Sequence, residues 1–110
     1  NWLTLSGEEQ FLQILRDSEN YPVAVFKHST RCSVSVMAKR TLENSWERYS
    51  KNMPIYYLDL LQHRNVSNLI AETLGVQHQS PQLIIIQNGK AIYHASHSDI
   101  DAYEAVETVN

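Results

Sequence analysis

The period of the apolar positions changes several times along the chain, and each change marks an element. The opening WLTL predicts a short edge strand. Ser6 is placed to cap a first helix, with Glu9 completing a capping box. Phe11, Ile14 and Leu15 follow at helical spacing and carry that helix to about Asp17. After Pro22 comes VAVF, an apolar run too short for a buried helix and suited to a parallel strand covered on both faces. From Cys32 the pattern turns helical, with Ala38, Leu42, Trp46, Tyr49 and Met53 on one face. Lys39, Arg40, Glu43, Glu47 and Lys51 lie mostly away from that face, and Pro54 closes the segment.

IYYLDL at 55–60 predicts a further strand. Asn65 is placed to cap a third helix carrying Val66, Leu69, Ile70 and Leu74, and Gly75 stands where a left-handed stop is expected. QLIII at 82–86 is rich in β-formers, Asn88-Gly89 is a two-residue hairpin signal, and AIYHA is the returning strand. Ser98 is placed to cap a closing helix with Ile100, Tyr103 and Val106. The order is β-α-β-α-β-α-β-β-α. Strands alternating with helices imply parallel pairing, and the final hairpin adds an antiparallel edge. The expected architecture is α/β, a central mixed β-sheet with helices on both faces.

Composition narrows the function classes. A chain of 110 residues suits one domain, 1–110, and residues 43% hydrophobic and 19% charged are ordinary for a globular fold. A net charge of -3 without a basic run argues against nucleic acid or an anionic membrane as partner. No stretch approaches the ~20 apolar residues of a membrane span. NWLTLSGEEQ lacks the basic flank and long apolar segment of a secretory signal. The sequence begins at Asn1 rather than at a methionine, so a preceding segment is allowed for. A single cysteine offers no disulfide framework and predicts a reducing, cytoplasmic location.

That cysteine, Cys32, falls just past the VAVFKH strand and at the start of the long helix. In such sheets ligands and chemistry collect outside the carboxyl ends of the strands. A helix N-terminus offers unpaired N–H groups and partial positive charge, which favour a thiolate, and Arg31 adds a cation. Ser35 lies in the same first turn, where its hydroxyl and N–H are placed to donate to the sulfur. The opposing reading is a small buried core residue. Thr30, Arg31 and Ser33 flank the cysteine with polar groups, which predicts an accessible, reactive thiol instead.

Element order, length and site position together resemble the thioredoxin superfamily. The motif is Cys32-Ser33-Val34-Ser35, and Pro81 in HQSPQLIII stands where that superfamily has a cis-proline facing the thiol. Statistics alone predict an ordinary trans proline at a strand start; the resemblance implies a cis Ser80-Pro81 bond. KHST-x-C-x-x-S at 27–35 and GV-x-H-x-SPQ at 75–82 are similar to the two signatures of YtxJ-type monothiol bacilliredoxins, over nearly the whole chain. Many members carry proline directly after the cysteine, where this chain has Ser33 and so a less stiff first turn.

The resemblance implies a thioredoxin-like fold and thiol–disulfide oxidoreductase activity with no bound cofactor. The Cys32 thiolate would attack the mixed disulfide between bacillithiol, a low-molecular-weight thiol, and a client protein. Lacking a second cysteine, it would be regenerated by another bacillithiol or a redox protein. Arg31, Ser35, Ser80 and Pro81 are the implied substrate contacts, and Thr30, His28 and His78 stand behind them.

Other features carry less. His94-x-x-His97 sits at a strand end without a cysteine pair, so scattered surface histidines are expected rather than a metal site. Ala38 occupies the arginine position of a C-x5-R phosphate loop and excludes that chemistry. Trp46, Tyr49, Tyr56 and Tyr57 read as core aromatics rather than a base-stacking platform, and Glu8-Glu9 as helix N-terminal charge. Two other functions remain open. An iron–sulfur carrier of the monothiol glutaredoxin kind normally has glycine and phenylalanine where Ser33 and Val34 stand. A non-enzymatic interaction module would leave Cys32 incidental.

Overall fold

Five strands form one mixed sheet, and its register decides where the cysteine falls. The computed structural model describes residues 2–109. Its elements are β1 (Leu3–Thr4), α1 (Glu8–Asp17), β2 (Val23–His28), α2 (Ser33–Tyr49), β3 (Ile55–Asp59), α3 (Arg64–Leu74), β4 (Gln82–Gln87), β5 (Lys90–Ser96) and α4 (Ala102–Glu107), with a short 3-10 turn over His97–Asp99. This is the expected order.

The strands lie side by side as β1-β3-β2-β4-β5. β1 and β2 both run parallel to β3, with Val25 opposite Tyr56 and His28 opposite Asp59. β4 runs antiparallel to β2, with Val25 opposite Ile84 and Lys27 opposite Gln82. Alternation with helices predicts a parallel β4, so here the structure corrects the expectation. The cause lies after Gly75. α3 ends there in a left-handed turn, and residues 76–81 form neither helix nor strand. Extended chain covers about 3.3 Å per residue against about 1.5 Å in a helix, so this short segment undoes the travel of α3. β4 therefore starts at the end of the sheet where β3 stops.

Side chains alternate across the sheet and split the core in two. Val23, Val25, Ile84 and Ile86 pack under Phe11 and Ile14 of α1 and Val66 and Ile70 of α3. Ala24, Phe26, Leu83 and Ile85 pack under Leu42 and Trp46 of α2 and Ala102, Ala105 and Val106 of α4. Helices thus cover both faces.

Three helix starts differ from the expected caps. Gly7, not Ser6, is the N-cap of α1, and the Ser6 N–H donates to Gln10 Oε1 at 2.9 Å instead of to Glu9. His63 replaces Asn65 as the cap of α3, and Asn65 donates its amide to Glu8 across the helix pair at 2.8 Å. Ser98 falls within the 3-10 turn, while Asp101 caps α4 by accepting the Glu104 N–H at 3.0 Å. Met53 is buried beyond the end of α2 rather than on it. Gly75 is the left-handed cap expected of it, at φ 67°. Asn88 and Gly89 both have positive φ, as a tight hairpin turn requires.

Candidate active site

β2 ends at His28, and the chain turns through 29–32 before α2 begins. The Cys32 N–H donates to the Ser29 carbonyl at 3.2 Å, closing that turn, and the Cys32 carbonyl accepts from Val36 at 3.0 Å. Cys32 is the N-cap of α2, in extended conformation, and its side chain makes no capping hydrogen bond. An N-cap side chain lies beside the free N–H groups of the first turn. The thiol is partly exposed at this positive end. Thr30, Arg31, Ser33 and Val34 around it are exposed.

Ser35 is fully buried, and its Oγ accepts the Ser29 N–H at 3.1 Å. The hydroxyl thus fastens the loop before the cysteine to the turn after it; fully buried there, and with no bond to the Cys32 sulfur among the described residues, it does not make the substrate contact expected of it. His28 is also buried, stacked on Phe26 at 6.0 Å between ring centroids and tilted against Tyr57 at 5.4 Å. Burial, helped by the Lys39 ammonium, pulls the imidazole below its ordinary range, against weaker opposing effects from the Ser35 backbone, Asp59 and Glu43. His28 is therefore a neutral ring beneath the first turn of α2, with Nδ1 buried and unpaired.

Ser80 and Pro81 lie immediately before β4, at the end of the sheet from which β2 leads to Cys32. The bond between them is cis. Pro81 is buried, and its carbonyl accepts the His97 N–H at 3.0 Å. His78 is exposed overall, yet its Nδ1 turns inward, 3.1 Å from Ser67 Oγ and 3.4 Å from Lys27 Nζ. Burial, then the charges of Lys27 and Arg64, lower this ring as well.

Lys27 opens the KHST-x-C-x-x-S signature but is not among the expected site residues. It is fully buried, and Nζ also donates to the Ser67 carbonyl at 3.2 Å. Burial pushes its ammonium down to about 8. A further signal is a lysine where the Val23–Val25 alternation predicts another apolar residue. On the other face, a cleft of about 550 Å³ opens where α2 begins, lined by Ser33, Val34 and Met37 against His97, Ile100 and Tyr103.

The histidines of His94-x-x-His97 gather no metal-ligand cluster, and none of three or more such side chains occurs among the described residues. No helix among them is long and apolar enough to cross a membrane.

A sequence profile of the family described as monothiol bacilliredoxin BrxC matches residues 3–105. A solved structure of a protein with a thioredoxin fold superposes with a TM-score of 0.81 at 34% identity, covering 96% of this chain and 91% of that one. Malassezia sympodialis thioredoxin gives a TM-score of 0.76 at 15% identity over 99% and 90% of the two chains. Fasciola hepatica thioredoxin gives 0.72 at 13% over 96% and 94%. These last two bear on the fold alone.

Proposed function

From the premise that this chain belongs to the monothiol bacilliredoxin family and is a thiol–disulfide oxidoreductase, we propose that Cys32 removes bacillithiol from modified client proteins. The observation that carries this reading is the placement of the sole thiol as the partly exposed N-cap of α2. In the first step the Cys32 thiolate attacks the bacillithiol sulfur of the client's mixed disulfide. A new disulfide forms between Cys32 and bacillithiol, and the client leaves as a thiolate. In the second step the thiolate of another bacillithiol attacks the same sulfur, giving bacillithiol disulfide and restoring the Cys32 thiolate. Atoms and electrons balance without any resident cofactor.

The other residues have assignable parts. Amides of the first turn and the exposed Arg31 guanidinium offer hydrogen-bond donors and positive charge to the reacting sulfurs. Ser35 holds the turn, and Thr30 borders the thiol. The Ser80 backbone, ahead of the cis bond, offers N–H and C=O groups to an extended client segment, a form of β-augmentation. Pro81 keeps that segment from continuing into the β4 ladder. His28 packs beneath the first turn of α2, and His78 stands in the loop that leads to Ser80. Exposed Val34 and Met37 give a protein client apolar surface beside the thiol. Since regeneration draws on a reducing thiol pool, the reaction belongs in the cytoplasm.

The test is release of a bacillithiolated client enzyme whose own cysteine is needed for activity. Wild-type protein with excess bacillithiol should restore that activity, and Cys32→Ser should not, because a hydroxyl is a far poorer nucleophile at neutral pH. Equal recovery with both proteins would refute the proposal.

A further inference from the structure

On the α1/α3 face of the sheet, β2 and β4 present matched apolar rows. Val23 faces Ile86 and Val25 faces Ile84 across the ladder, all fully buried or nearly so. The next pair in that row is Lys27 opposite Gln82, also fully buried. A pair of aliphatic side chains would complete this core without desolvating an amine or an amide, and burying such groups is costly. Neither side chain makes an ion pair among the described residues. Both reach instead toward the segment that precedes Pro81. Gln82 Nε2 donates to the Gln77 carbonyl at 3.0 Å, and Lys27 Nζ approaches His78 Nδ1 at 3.4 Å while donating to the Ser67 carbonyl at 3.2 Å.

His78 Nδ1 faces an ammonium and the Ser67 hydroxyl, so it is the acceptor nitrogen of the ring and the proton sits on Nε2. The result is a polar clamp: two sheet side chains and one α3 residue grip successive residues, Gln77 and His78, of the returning loop. Two residues later comes Ser80, whose backbone the proposed reaction uses.

We infer that Lys27, with Gln82, is a positioning residue that fixes the 77–80 loop so that Ser80 and Pro81 meet the client's mixed disulfide in register with Cys32. This rests on the proposed role of Ser80 and Pro81. A buried amine kept at a cost to the core, bonded at once to Ser67 of α3 and to His78 of the loop, serves placement of that loop rather than stability.

The test compares Lys27→Met, which keeps the length and removes the amine, with the wild type in three measurements. Thermal stability should hold or rise. Alkylation of Cys32 by iodoacetamide, which needs no loop, should stay within about twofold, whereas transfer of bacillithiol from a client should fall about tenfold or more, as misplacement of reacting groups does. At the exposed His78, whose replacement does not threaten the core, Asn keeps an acceptor near the Nδ1 position and should preserve transfer. His78→Leu should lose it like Lys27→Met. Lys27→Met retaining full transfer, or losing stability, alkylation and transfer in parallel, would overturn the inference. If Lys27→Met does not fold, equal transfer by the two His78 variants overturns it. A wild type that alkylates readily yet takes no bacillithiol from the client overturns the proposed function first, and the inference with it.

Discussion

Ser35 is bound to Ser29: the buried hydroxyl oxygen takes the Ser29 N–H at 3.1 Å, and Cys32 lies in the turn that this bond closes. The hydroxyl thus holds together the loop that carries the thiol. Ser35→Ala leaves a donor unpaired under the loop and should cost about 1 kcal/mol, read as a lower urea midpoint. Ser35→Cys should shorten the life of a Cys32 adduct by letting an internal disulfide compete, provided both sulfurs reach bonding geometry. Mass spectrometry of the adduct against time measures this directly.

His28 makes stability fall in acid. Its ring is held neutral by burial and by Lys39, so the folded state binds its proton only below the ordinary ~6.5 of the unfolded chain. The contribution is complete above that value and is lost as pH falls through the lower folded one. His78 acts with the same sign, so the comparison must be made within a pair of proteins. His28→Phe should show a smaller drop in urea midpoint between neutral and mildly acidic pH than the wild type.

Lys27 works at the other end of the scale. Its ammonium titrates at about 8 in the fold and near 10.5 when unfolded. Between these values the unfolded chain binds more protons, so stability rises with pH across that window and is lost as pH falls through 8. The span corresponds to on the order of 3 kcal/mol. His78 and Arg64 lie on the same side of the sheet and add no carboxylate to offset the effect. Tyr57 and Tyr93, raised mainly by burial, oppose it near the top of the window. Denaturation of wild type and Lys27→Met from pH 8 upward should therefore show a gain for the wild type relative to the variant.

Gly75 ends α3 at φ 67°, and a Cβ placed there would meet nothing within 4 Å. Only the backbone conformation opposes a side chain. Gly75→Ala should cost about 1 kcal/mol, a fall of about 4–8 °C in Tm for a domain of this size, with Cys32 alkylation unchanged.

The order of elements, the thiol at the head of α2, the stop at Gly75 and the Asn88-Gly89 turn could all be read from the sequence, since each rests on periodicity or on one residue's backbone preference. The helix caps could not. Ser6, Asn65 and Ser98 are good capping residues by type, but where a helix starts depends on where its apolar stripe meets the sheet, and that selected Gly7, His63 and Asp101. The direction of β4 was hidden because a βαβ pattern ordinarily predicts a parallel crossover, and the 76–81 segment gives the opposite result. The contacts of Lys27 could not be read from the sequence because its partners, Ser67 and His78, are 40 and 51 residues away. No local pattern announces such a contact.

The central claim is that the single thiol itself carries the bacillithiol. Mixing equal amounts of wild-type protein and a bacillithiolated client, with no free bacillithiol, isolates the first step. Intact-protein mass spectrometry should show the client lose one bacillithiol while this chain gains one at Cys32, and the adduct should persist until bacillithiol is added. A client that stays capped beside unmodified Cys32, under conditions where an established bacilliredoxin releases it, would contradict the account.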